Sequence, residues 1–139
     1  MEKADNKWVE PDYSLEKWVN LVYVAGPYRA ETHYEVKQNI RKAEDIGTLL
    51  WAYGWVPIVP HLNTEFMNGA YGLPDWVWLK GDLAIVKVCK FIVVEGLWRY
   101  SDGTIGEIDC AKENNIPVLY WQNDLHRYFL RTAFEDWRR

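Results

Sequence analysis

Apolar residues follow two different periods along this chain. Asn20-Leu-Val-Tyr-Val-Ala25 and Phe91-Ile-Val-Val-Glu-Gly96 are short, nearly continuous apolar runs, the pattern of strands buried on both faces of a parallel sheet. Between them, Val36, Ile40, Ala43, Gly47 and Leu50 recur near 3.6-residue spacing and predict a long helix that Gly54 ends. Trp55 to Pro60 reads as a second strand. Pro57 places it at a sheet edge, because proline cannot donate to a ladder. Residues 61–73 read as a loop. Pro74-Asp75-Trp76 opens a helix that runs to about Val88, with proline suited to the first turn. After the run at 91–95, a helical pattern passes through Ile108 and Ala111 to Asn114-Asn115. Pro117 to Trp121 forms a fourth strand, and Asn123 or Asp124 caps a final helix to the C-terminus. Residues 1–19 are polar with scattered aromatics and read as a peripheral arm.

Strands that alternate with helices predict a parallel sheet with right-handed crossovers. The expected architecture is a single α/β domain: a three-layer sandwich around four to five strands, flavodoxin- or Rossmann-like. In such folds ligands bind at the carboxyl ends of the strands. The ends of the first three strands should bring Gly26 to Arg29, His61 and Ser101 to Glu107 to one crevice.

Composition narrows the classes. The 139 residues suit one domain with a sizeable core. No apolar run approaches the ~20 residues of a membrane span, and the N-terminus lacks the apolar core of a signal peptide. The chain reads as cytosolic and not membrane-bound. A net charge of −4 with dispersed Lys and Arg argues against a nucleic-acid polymer as partner. Cys89 and Cys110 show no ligand spacing and read as buried, reduced thiols. With three histidines they are too few for a zinc framework, so no metal is expected. Nine Trp and nine Tyr point to core packing plus an oligomer interface, and a homodimer or higher homo-oligomer is expected.

The candidate chemistry sits in Ser101-Asp-Gly-Thr-Ile-Gly-Glu107. This segment places a carboxylate, Glu107, in the first turn of a helix behind a loop rich in hydroxyls and glycine. Free N–H groups and the helix dipole there favour anions, phosphate included. Such a loop beside a carboxylate suggests chemistry on a small phosphorylated molecule. Thr104-x-x-Glu107 also fits a capping box. Asp82 near mid-helix is either a solvated-face residue or functional. Gly81 beside it suggests close approach of another group, since glycine costs about 1 kcal/mol in a helix relative to alanine. His61 after Pro60 either caps the following loop or faces a ligand.

In order along the chain stand Tyr23-Val-Ala-Gly26-Pro27-Tyr28-Arg29, Pro60-His61, Asp82 and Ser101-x-Gly103-x-x-x-Glu107. This ordered set resembles the nucleoside 2-deoxyribosyltransferase superfamily over roughly residues 20 to 122. It looks closest to the 2′-deoxynucleoside 5′-monophosphate N-hydrolases. The resemblance implies that Glu107 is the nucleophile that attacks C1′. It implies that Asp82 assists departure of the base and then positions water, with Tyr23 beside the nucleophile. Gly26, Pro27, Arg29, Ser101 and Gly103 would bind the 5′-phosphate, and His61 would line the nucleobase side. The substrate would be a small nucleotide, and no cofactor would be needed. Ser101 stands where the transferases typically carry an aspartate for a free 5′-hydroxyl. One extra residue follows the third strand, which leaves open whether Trp98, Arg99 or Tyr100 reaches the ligand. Base exchange by a transferase is the nearest alternative. Gly103-Thr104-x-x-Glu107 also resembles the cytokinin-activating phosphoribohydrolases, and a catalytically dead nucleotide-binding sensor is a further alternative.

Overall fold

A computed structural model describes residues 20–65, 67 and 69–134, so the arm at 1–19 lies outside the described residues. The elements run β1 (Leu21–Ala25), α1 (His33–Tyr53), β2 (Val56–Ile58), α2 (Pro60–Asn63), α3 (Asp75–Val86), β3 (Phe91–Val94), α4 (Asp102–Glu113), β4 (Val118–Tyr120) and α5 (Asp124–Thr132). The strands form one sheet of four, ordered β2-β1-β3-β4 and parallel throughout. Pro57 indeed lies on an edge strand, and among the described residues the sheet has the lower of the two expected strand counts.

Alternation along the strands builds the layers. Val22 and Val24 of β1 join Phe91 and Val93 of β3 on one face. There they pack with Ala43, Ile46 and Leu50 of α1, Leu130 of α5, and Trp55. Tyr23, Ala25, Ile92 and Val94 point the other way, onto Val86 of α3 and Ile108, Cys110 and Ala111 of α4. The period of two thus sends Tyr23 into the α3–α4 layer. Trp55 anchors the opposite layer: its indole N–H donates to the Leu130 carbonyl at 2.9 Å, and Phe91 packs edge-on against it at 5.2 Å. The tryptophan content is only partly core, because Trp51 and Trp76 stand largely exposed.

Local signals explain most boundaries. Gly54 ends α1 in the left-handed conformation (φ 102°), and its N–H reaches the Leu50 and Trp51 carbonyls. Asn123 caps α5 by accepting from Leu125 and His126. The stretch expected to be a loop from residue 61 instead begins in a short helical turn, which Pro60 starts and which carries His61. The helix expected to reach Val88 stops at Val86. Gly81 also departs from expectation. A Cβ there would meet nothing within 4 Å, so close approach does not account for it.

Strand order fixes where a ligand belongs. The chain leaves β1 for β2 on one side and places β3 on the other. The β1–β3 junction is therefore the topological switch point, where open α/β sheets bind ligands at the carboxyl edge.

Candidate active site

Tyr23 lies in the middle of β1 with no solvent exposure, facing the helices that carry both candidate carboxylates. Its phenol donates a hydrogen bond to Oε2 of Glu107, on the inward side of α4. Burial first, then the negative charges of Glu107 and Asp82, hold the phenol protonated far above its ordinary range. Tyr23 is thus a fixed donor at any working pH.

Glu107 is half-buried. Burial pushes its pKa up to about 8; the Tyr23 hydrogen bond opposes the rise and the charge of Asp82 adds to it. Asp82, on α3, is pushed up to about 6 by burial. The two carboxyls interact and so titrate as a pair, which carries one proton between those values. Two carboxyls held in different environments are the ordinary arrangement for dividing acid and nucleophile roles.

The helix position of Glu107 corrects the capping-box alternative. The cap of α4 is Ser101, whose hydroxyl accepts from the Thr104 N–H at 3.2 Å and from the Thr104 hydroxyl at 2.9 Å. Glu107 is the sixth residue of α4, in the second turn rather than the first. It contributes nothing to the cap and reaches across to Tyr23 instead. A comparable Thr-x-x-Glu pair works at α1, where Thr32 accepts from the Glu35 N–H. Both of Ser101's lone pairs are used by Thr104, which leaves its own O–H to donate outward. Gly103 lies beside it, where a Cβ would meet only Leu79 and Ser101 at ordinary contact distance. Asp102, next to Ser101, is exposed at the first position of α4.

The loop after β1 is held from two sides. His61 is buried, and its Nε2–H donates to the Pro27 carbonyl at 2.9 Å, which fixes the neutral tautomer. Burial lowers the His61 pKa, against the opposing effect of the Pro27 and Gly26 carbonyls. Asn39 of α1 donates to the Tyr28 carbonyl at 3.2 Å. His61 therefore anchors the loop, with the Tyr28 ring 5.5 Å away. Arg29 is exposed and pairs through Nη2 with Asp75, the first residue of α3.

Of the residues singled out in the sequence, Tyr23, Asp82 and Glu107 form one electrostatic cluster. Gly26, Pro27 and His61 form a second group at the carboxyl end of β1. Ser101 and Gly103 start α4 at the same sheet edge, and Arg29 is drawn to α3. Trp98 packs on Tyr120 at 5.6 Å with the Arg99 guanidinium 4.9 Å over its ring, while Tyr100 is almost fully exposed. Among the described residues, no group of three or more His, Cys, Asp or Glu is arranged to hold a metal. Cys89 and Cys110 are free, buried thiols, and burial pushes Cys89 up to about 11. No helix among the described residues is long and apolar enough to cross a membrane.

Sequence reading missed two carboxylates. Glu95 follows β3 directly at the switch point. A Cβ on Gly26 would come within 2.9 Å of the Glu95 Cβ, so Gly26 is the residue that lets the two strand ends approach. Glu95 Oε2 accepts from the Leu97 N–H at 3.3 Å. Its position after an apolar run was visible, but its neighbour Gly26 depends on strand order. Asp75 was visible only as an acidic residue starting a helix.

Comparison with known proteins supports the architecture. A solved 2-deoxyribosyltransferase from the psychrotolerant bacterium Bacillus psychrosaccharolyticus shares the fold, with a TM-score of 0.53 and 24% identity. The match covers 72% of this chain and 70% of that one. No curated protein matches the sequence. Residues 20–121 match the family described as "Domain of unknown function (DUF7768)". They run from the start of β1 to the end of β4 and include both carboxylates and Tyr23, and the chain belongs to that family.

Proposed function

We propose that the protein cleaves the N-glycosidic bond of a (deoxy)nucleoside 5′-monophosphate, releasing a free nucleobase and the sugar 5-phosphate. The observation that carries this reading is the Tyr23–Glu107 hydrogen bond with Asp82 in the same field. A Glu107 carboxylate oxygen attacks C1′. The C1′–N bond breaks, its electron pair leaves with the base, and Asp82 supplies the proton that the base requires. Water then attacks C1′ of the glycosyl-enzyme, gives its proton to Asp82, and frees Glu107. This is the double displacement of retaining glycosidases. The Tyr23 hydrogen bond favours the negative charge on Glu107, but burial leaves the shared proton mostly there, so the reacting form is the minority one with that proton on Asp82. Ser101, Gly26, Pro27, Gly103 and Arg29 form the phosphate end, and His61 holds the loop that carries it. The reaction uses no cofactor and takes place in the cytosol. The exposed aromatics Tyr34, Trp51, Trp76 and Tyr128 support assembly as a homodimer.

A second reading is favoured by Glu95. A carboxylate beside Gly26 accepts well from a free 5′-hydroxyl and repels a phosphate, which fits base exchange on unphosphorylated nucleosides. The transferase named in the fold comparison supports the same reading. Incubation with common and modified nucleosides and their 5′-monophosphates, with and without an acceptor base, separates the two. Free base and sugar phosphate without an acceptor support hydrolysis. Base exchange alone supports the transferase. No C1′–N cleavage of any of them overturns both.

A further inference from the structure

We propose that Asp75 sets the anion affinity of the 5′ end of this site by competing for Arg29. The inference rests on the reading above in placing a phosphate at Arg29, and it assigns a role to a residue outside the proposed machinery. Three observations carry it. The backbone of the loop is fixed independently of Arg29, by His61 on Pro27 and Asn39 on Tyr28. The Arg29 side chain is then placed by a third element, through the pair of Nη2 with the Asp75 carboxylate. Asp75 and Asp82 lie seven residues apart on α3, two turns along one face and about 10 Å along the axis. The face that brings Asp82 to the reacting carbon therefore brings Asp75 to the arginine, over a span on the scale of one nucleotide.

The chemistry follows from the guanidinium. An arginine fork binds a carboxylate or a phosphate by the same donors. A phosphate that takes Nη2 must displace Asp75, and one that takes the other donors lies next to a like charge. Either way Asp75 weakens anion binding. The pair is largely exposed, 71% and 50% for the two side chains, so its effect is modest. Such tuning lets the subsite recognise a phosphate without retaining the sugar-phosphate product.

Asp75 also starts α3, where a negative charge suits the helix dipole and Pro74 provides no side-chain cap. A purely structural role would alter thermal stability and leave anion affinity unmoved. The test is titration of inorganic phosphate into the full chain and into Asp75→Asn, Arg29→Gln and the double variant. The expected result is phosphate binding about two- to fivefold tighter in Asp75→Asn. The gain should vanish when Arg29 is already Gln. Equal affinity in the wild type and Asp75→Asn overturns the proposal. So does an equal gain in the Arg29→Gln background, which would show a diffuse charge effect, and so does the absence of phosphate binding in every protein. The titration needs no turnover. Failure of base release therefore leaves this result standing, and failure here leaves the Glu107 chemistry standing.

Discussion

The Tyr23 phenol on the first strand donates to the carboxylate of Glu107, 84 residues later on α4. It joins a residue that cannot lose its proton to one whose proton is poised near neutrality. Tyr23→Phe should therefore retain the fold, since the ring stays packed, and should slow base release roughly tenfold to a hundredfold. That is the range expected for a hydrogen bond to a charged group. Because the donor lowers the Glu107 pKa, its loss should move the alkaline limb of the kcat/KM profile to higher pH. An unmoved limb with unchanged rate would remove Tyr23 from the mechanism.

The pH profile of the wild type should be a bell. Below about 6 both carboxyls are protonated and no nucleophile is present; above about 8 both are ionised and no acid remains. In between, the pair carries one proton, mostly on Glu107, and the minority form with that proton on Asp82 is the working form. Asp82→Asn should remove the proton donor and lower the rate by about two to four orders of magnitude. A loss below tenfold across the pH range would return Asp82 to a solvated-face role.

Glu107→Gln should abolish turnover and stabilise the protein at alkaline pH. The folded-state pKa is raised, so the carboxyl favours folding while protonated. The wild type then loses stability as pH rises from the unfolded value near 4 to the folded value of about 8. Gln keeps an acceptor for Tyr23 and never ionises. The variant should be more stable than wild type by about 1 kcal/mol or more above pH 8, with little difference at pH 4. Denaturant titrations at the two pH values read this directly, and equal stability at high pH would contradict the buried, shifted carboxyl.

Ser101 serves two functions that one substitution can separate. Ser101→Ala removes the cap of α4 and should cost about 1 kcal/mol of stability. Ser101→Asp keeps a good cap but places a negative charge at the phosphate end. Wild type should prefer a 5′-monophosphate over its nucleoside by at least about tenfold in kcat/KM, because an empty subsite leaves donors unpaired. Ser101→Asp should narrow that preference at nearly unchanged thermal stability. Equal kcat/KM values for the two substrates in wild type would move the protein to the transferase reading.

Elements whose signals are local were legible in the sequence. The buried runs at β1 and β3, the 3.6-residue spacing of α1, the glycine that ends it, the edge proline and the Asn123 cap each depend on a few neighbouring residues, and all appear in the structure. The order of the motif residues likewise pointed to Tyr23, Asp82 and Glu107 together. The local code became ambiguous at caps. Ser101, Thr104 and Glu107 allow two capping schemes, and only the packing of α4 on the sheet selects Ser101 and frees Glu107 for Tyr23. Glu95 beside Gly26, Asp75 on Arg29 and the open space around Gly81 lay beyond any local pattern. Each depends on which strands adjoin and how α3 faces the first loop. Those relations arise from burying two faces of one sheet at once, and periodicity along a chain does not encode them.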